Sequence, residues 1–220
     1  MKTLLAAVVL GFVLSPASLL RRNAAHLTEN VASKVEVAVR LLWVDTAGLP
    51  PRFNPSDNNL KAQLTMDANV KSCTLSLPLP EGAWNVVWHN GVVSNAQGSW
   101  PALEALLSGV CGVFMAGTSK GDVRAALERF LASQKVKVKV SRLELVDKEV
   151  LYALGAEGKR APQYWIGKED FAARGLKWED ATGVLWELRF KESSSFFQTM
   201  ELRREGHMAL RVLAGRQKAK

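Results

Sequence analysis

Three observations predict a mainly β (α+β) protein, built as a single large curved antiparallel sheet or half-barrel with two amphipathic helices on its concave face. The first is strict alternation: Val184, Trp186, Leu188 and Phe190 fall on one side of a run, and Glu187, Arg189 and Lys191 on the other. That is the period-2 pattern of a strand wet on one face only. The second is hairpin punctuation, with Met200 and Leu202 before Glu205-Gly206 and Met208, Leu210 and Val212 after it. The third is that strong helical spacing occurs in one place, between two strand-rich stretches. Two amphipathic helices inserted between antiparallel meanders have one economical place to go, across the apolar face of the sheet.

The chain has 220 residues, 48% hydrophobic and 23% charged, enough apolar material for one globular domain with a sizeable core. Its formal charge of +8 is compatible with an anionic partner. The strand cations, however, alternate with acids (Lys177/Glu179, Glu187/Arg189, Glu201/Arg203), as on a solvated face, so no nucleic-acid site is expected. The concentrated basic spots are Arg21-Arg22 and the terminal run from Arg211 to Lys220.

In chain order, Lys2, the apolar run Leu4 to Leu14 and Ser15-Pro16-Ala17 read as a signal peptide over residues 1–17, cleaved to release a periplasmic protein. Residues 18–33 form an N-terminal segment with a short helix over 22–33 presenting Ala24, Leu27 and Val31. The domain proper runs over 34–213. Its first strand carries Val35, Val37, Val39, Leu41 and Trp43. Prolines and Asn or Asp between Leu49 and Asn59 make a loop. Strands follow through Leu60, Ala62, Leu64 and Met66, through Cys73, Leu75 and Leu77, and through Trp84, Val86 and Trp88, with Asn90-Gly91 as a tight turn.

Pro101 opens a helix whose stripe is Leu103, Leu106, Leu107, Val110 and Phe114. A second helix follows the capping residues Ser119 and Asp122 and carries Val123, Leu127, Phe130 and Leu131. Val136, Val138 and Val140, alternating with Lys137 and Lys139, are expected to resume the sheet. The second meander covers 150–213 and brings the expectation to about ten strands. Residues 214–220 are a basic tail.

Export gives the two cysteines meaning. An oxidising compartment favours a Cys73–Cys111 disulfide, stapling a helix to the sheet and closing a loop of ~40 residues. Buried free thiols are the alternative.

The element order, with "QYWIGKEDF" in the second meander, resembles the LolA-like family of periplasmic outer-membrane lipoprotein carriers. Trp165, Ile166, Lys168, Glu169 and Phe171 match the family's strand-opening element, and Ala172-Ala173 stand where it has proline. The resemblance implies a half-open barrel whose helix-lidded concave side holds lipid acyl chains. It also implies a polar latch on an early strand, for which Arg40 is the nearest candidate. Alternation puts Arg40 on the charged face, away from Val39 and Leu41.

The apolar lining expected for such a ligand is Leu103, Leu107, Val110 and Phe114 from the first helix, with Val184, Trp186, Leu188, Phe190, Met200, Leu202, Met208 and Leu210 from the sheet. Methionine suits a surface that adapts to variable chains. A lipid or a lipidated protein is the partner the resemblance implies, with a membrane surface as a further one. The alternative is an envelope structural or interaction protein with a filled core.

Gly117-Thr118-Ser119-Lys120-Gly121 satisfies G-x-S-x-G, with Asp170, Asp180 and His207 downstream. No parallel βα units precede it, and an interhelical turn needs the same residues. No catalytic residue, metal ligand or cofactor is therefore assigned, and His26, His89 and His207 lack metal-ligand spacing.

Overall fold

The computed structural model describes residues 13–30, 34–54, 56, 58–80, 82–95, 98–119, 121–193 and 196–214. The expected signal segment up to Phe12, Val31, Lys120 and the tail from Gly215 lie outside the described residues.

The elements run α1 (Pro16–Asn30), β1 (Lys34–Trp43), β2 (Asn59–Asp67), β3 (Ser72–Leu77), β4 (Trp84–His89), β5 (Val92–Ser94), α2 (Pro101–Gly117) and α3 (Val123–Ser133). They continue β6 (Ser141–Val146), β7 (Glu149–Gly155), β8 (Gln163–Gly167), β9 (Ala173–Glu179), β10 (Leu185–Ser193), β11 (Phe196–Arg204) and β12 (His207–Ala214). Among the described residues these twelve strands make one open antiparallel sheet in the order β5-β4-β3-β2-β1-β12-β11-β10-β9-β8-β7-β6. The first meander builds outward from β1. The second starts at the far edge and returns inward until β12 closes on β1, from Val39↔Ala214 to Trp43↔Leu210.

The alternation of β1 appears directly as burial, with Val37, Val39, Leu41 and Trp43 inside and Glu36, Ala38 and Arg40 exposed. Helix α2 lies across this apolar face, touching β3, β4 and β5 on one side and β10, β11 and β12 on the other. Two glycines let it sit that close. A Cβ at Gly109 would lie 2.8 Å from Leu188 Cδ2 and 3.2 Å from the Trp178 ring, and one at Gly112 would lie 2.0 Å from the Phe130 ring of α3. Helix α3 starts as its capping chemistry requires, with the Asp122 carboxylate accepting from the Ala125 amide at 3.0 Å.

The expected strand at 136–140 is instead the end of α3 and a turn. Lys135 takes φ +60°, its amide donates to Ala132 O, and the Val136 amide reaches back to Leu131 O. This is a Schellman cap, with Val136 and Leu131 both buried in the core. The alternation of Val136, Val138 and Val140 is therefore accidental to a terminator. The sheet resumes one residue later in β6, which sequence reading missed because its hairpin with β7 turns on Asp147 and Lys148. Both adopt positive φ (48° and 72°) without the glycine that marks such a turn.

Helix α1 is longer than the short helix expected over 22–33, starts at Pro16 and packs against the two central helices. It buries Leu19, Leu20, Asn23, Ala24 and Leu27. The Asn23 amide donates to Phe171 O at 2.8 Å and accepts from the Tyr164 hydroxyl at 2.9 Å, tying the helix to β8 and to the loop after it. Arg22 lies 4.8 Å above the Phe171 ring.

Candidate functional site

The residues expected to line a cavity do converge, but as packed core. Leu103, Leu107, Val110, Phe114, Trp186, Leu188, Phe190, Met200, Leu202 and Leu210 belong to one buried cluster, with half-buried Val184 packed against it. Met208 is a correction. A bulge in the β11–β12 pair sets Leu202 opposite Leu210 and Arg203 opposite Met208, so Ala209 is the buried residue and Met208 is left half-buried. The Gly109–Leu188 approach fills the space beneath the middle of α2.

Space opens at the far end of the same helix. The start of α2 is closed by Trp43, Phe53, Trp84 and Trp100, whose ring centroids lie 5.0–6.3 Å apart. Phe53 comes from the proline-rich loop and is buried, so the loop contributes that ring to the core. Where α2 ends, a groove of about 620 Å³ separates α2 and α3 from the turns after β2 and β4. Gly112, Met115, Ala116, Ala126, Phe130 and Trp88 supply its apolar walls. Lys71, Arg129, Asn69, Asn90 and Ser133 supply a polar rim with two exposed cations. The size is that of a small-ligand site, and the mix of apolar walls with few polar groups suits an amphiphile. None of the residues expected from sequence to line a ligand lies on this groove.

Behind the groove, Cys111 precedes Gly112 on α2, and Cys73 is the cross-strand partner of Trp88. Both cysteines are buried free thiols. Burial pushes the Cys111 thiol well above its ordinary pKa, and its hydrogen bond with Cys73 pushes in the same direction. The expected proximity is present, and no disulfide joins the pair in this structure.

The outer face is less solvated than its alternating charges imply. Lys177 and Glu201 are only 7% and 8% exposed. The Arg189 guanidinium stacks 3.8 Å from the Trp165 ring, in room left by Gly175, whose added Cβ would meet Leu188 O at 2.4 Å. Val146, Leu151, Ala153 and Trp165 form a second small apolar cluster there. Desolvation lowers the Lys177 pKa, and its ammonium donates to the carbonyls of Gly158 and Lys159, each at 3.3 Å.

The hydrolase constellation is not assembled among the described residues. Ser119 sits in the α2–α3 turn with its amide on Ala116 O, while exposed His207 opens β12. Asp170 is engaged by the Ala172 amide and Arg174, and Asp180 by Thr182, the Val184 amide and the Trp186 indole. Among the described residues no group of three His, Cys, Asp or Glu could hold a metal ion, and no helix is long and apolar enough to cross a membrane.

The fold defines the chain as an open antiparallel sheet covered on one face by helices, the architecture that the LolA-like resemblance implied. No family model and no curated protein matches the sequence. Among solved structures the chain is similar to a LolA superfamily protein from Nitrosomonas europaea, at 12% identity over 94% of each chain with a TM-score of 0.47. It is also similar to a protein described as an outer membrane lipoprotein-sorting protein domain from Vibrio parahaemolyticus, at 10% identity over 91% of this chain and 92% of that one, with a TM-score of 0.41. A DUF1329 family protein from Desulfovibrio piger follows, at 14% identity over 92% of each chain with a TM-score of 0.37.

Proposed function

We propose that this protein is a non-enzymatic periplasmic binding module for an acyl chain or another apolar ligand, a relative of lipoprotein carriers in role as well as shape. The observation that supports this reading is the groove of about 620 Å³ at the end of α2 and α3, apolar within and cationic at its rim. An extended chain would lie against Phe130, Met115 and Trp88, and an anionic or polar head would meet Arg129 and Lys71.

The test is titration with a dansyl-labelled undecanoic acid, followed by the same titration on Ala126→Trp. The indole would occupy groove space from a half-buried position on α3. Saturable binding weakened at least about tenfold, with the melting temperature nearly kept, supports the site, since even a modest apolar contact region is worth that factor. Binding unchanged by Ala126→Trp would remove the groove from the reading.

A second reading, an envelope structural or interaction protein, is favoured by the filled core beneath α2 at Gly109 and Leu188. It is the one left standing if the wild-type chain binds no probe and no lipid co-purifies with it in native mass spectrometry.

A further inference from the structure

The outer face of the sheet, opposite the helices, carries a row of cations unlike the mixed charges beside it. Reading straight across five strands, Lys61 on β2 pairs with Arg40 on β1, Arg40 with Leu213 on β12, Leu213 with Thr199 on β11, and Thr199 with Lys191 on β10. Three members are basic and none is acidic. Lys61, Arg40 and Lys191 are all exposed, and none has an ion pair among the described residues. In the next row Leu42 pairs with Arg211 and Arg211 with Glu201, whose carboxylate is engaged by Arg211 at 2.7 Å and Arg203 at 3.8 Å. It is therefore not available to neutralise Arg40.

Arg40 and Lys61 stand directly opposite one another, an arrangement of like charges that destabilises a sheet unless something anionic sits over it. A shallow groove of about 390 Å³ lies at that point, with Ala38, Leu213 and Ala214 as its apolar part beside the two cations. With strands about 4.8 Å apart, the row presents positive charge over roughly 20 Å of open face. A broad, shallow, cationic strip with a little apolar surface complements a laterally uniform array of anions better than one folded partner.

We propose that this row docks the protein on an anionic membrane surface, with lipid phosphate groups over Arg40, Lys61 and Lys191 and Leu213 against the interface. The helix-covered groove then faces away from the bilayer plane. The site stands apart from the ligand groove, so the two proposals fail separately.

The experiment is flotation of the full chain with phosphatidylcholine vesicles, with and without about 30% phosphatidylglycerol. The expected result is binding to the anionic vesicles alone, lost on raising ionic strength as screened surface charge requires. Arg40→Glu/Lys61→Glu should weaken it at least about tenfold, since each basic residue near an anionic surface contributes several-fold in affinity. Lys137→Glu/Lys139→Glu, an equal change of net charge at exposed positions after α3, should weaken it less than about threefold. Circular-dichroism melting of both double variants must match the wild-type chain, and a less disruptive Arg40→Gln/Lys61→Gln pair substitutes if it does not.

Equal loss in the two double variants overturns the proposal by making the binding a matter of net charge alone. Equal binding to neutral and anionic vesicles overturns it as well. Capture by poly-glutamate beads that vanishes with Arg40→Glu/Lys61→Glu, without any vesicle binding, replaces the membrane by an acidic protein partner.

Discussion

Asn23 on α1 and Tyr164 on β8, 141 residues apart in sequence, share a buried hydrogen bond of 2.9 Å, and the same asparagine donates to Phe171 O at 2.8 Å. Asn23→Ala removes both hydrogen bonds, one of them fully buried, so a loss of about 2–3 kcal/mol is expected from urea unfolding. Tyr164→Phe removes one partner and should cost about 1–2 kcal/mol. A double variant no less stable than Asn23→Ala alone identifies the pair as coupled; full additivity would mean that it is not.

The close approach of α2 to the sheet predicts that Gly109→Ala destabilises the protein despite alanine's better helix propensity. The new methyl meets Leu188 and Trp178, both fully or nearly fully buried, and overpacking of this kind costs about 1–3 kcal/mol. Val110→Trp should cost at least as much, because Val110 lies in filled core. A variant of either kind with unchanged stability would mean that the space beneath α2 is open.

Asp180 predicts part of the acid limb of stability. Burial raises its pKa, but hydrogen bonds from the Thr182 hydroxyl, the Trp186 indole and the amides of Val184 and Thr182 outweigh that, and the carboxyl titrates below its ordinary value. A depressed folded-state pKa gives stability that is full above the unfolded value near 3.9 and disappears as pH falls through the folded one. Asp180→Asn should therefore destabilise at pH 7 and converge on the wild-type stability as pH falls below about 4. A constant gap between the two across that window would exclude the linkage.

The Cys73 and Cys111 thiols predict a redox difference. Protein kept reduced should resist iodoacetamide in the folded state, since both thiols are buried and Cys111 is held protonated. Protein recovered from an oxidising compartment should yield a non-reduced peptide linking the two segments, with a stability gain of about 3–4 kcal/mol over the reduced form. Two alkylatable thiols in that material after unfolding would eliminate the bridge.

The amino-acid sequence by itself determined most of the stretches that become strands and helices and which face of each is apolar, because those properties are local. Val37, Val39 and Leu41 are buried as their alternation requires, and Asn90-Gly91 and Glu205-Gly206 turn with the positive φ angles that tight hairpins need. Local pattern misled where a local alternative competed. Val136 to Val140 alternates like a strand but follows a left-handed Lys135 that ends a helix, and Met208 alternates into the core until a bulge replaces it with Ala209. Only the tertiary structure decided what covers the apolar face and how tightly. Gly109 admits Leu188 and Gly112 admits the Phe130 ring, while a groove opens beside them where α2 and α3 end. The cationic row from Lys61 to Lys191 likewise exists only through strand register, since its members come from strands scattered along the chain. Packing volume and register are properties of pairs of distant segments, and no periodicity within one segment can encode them.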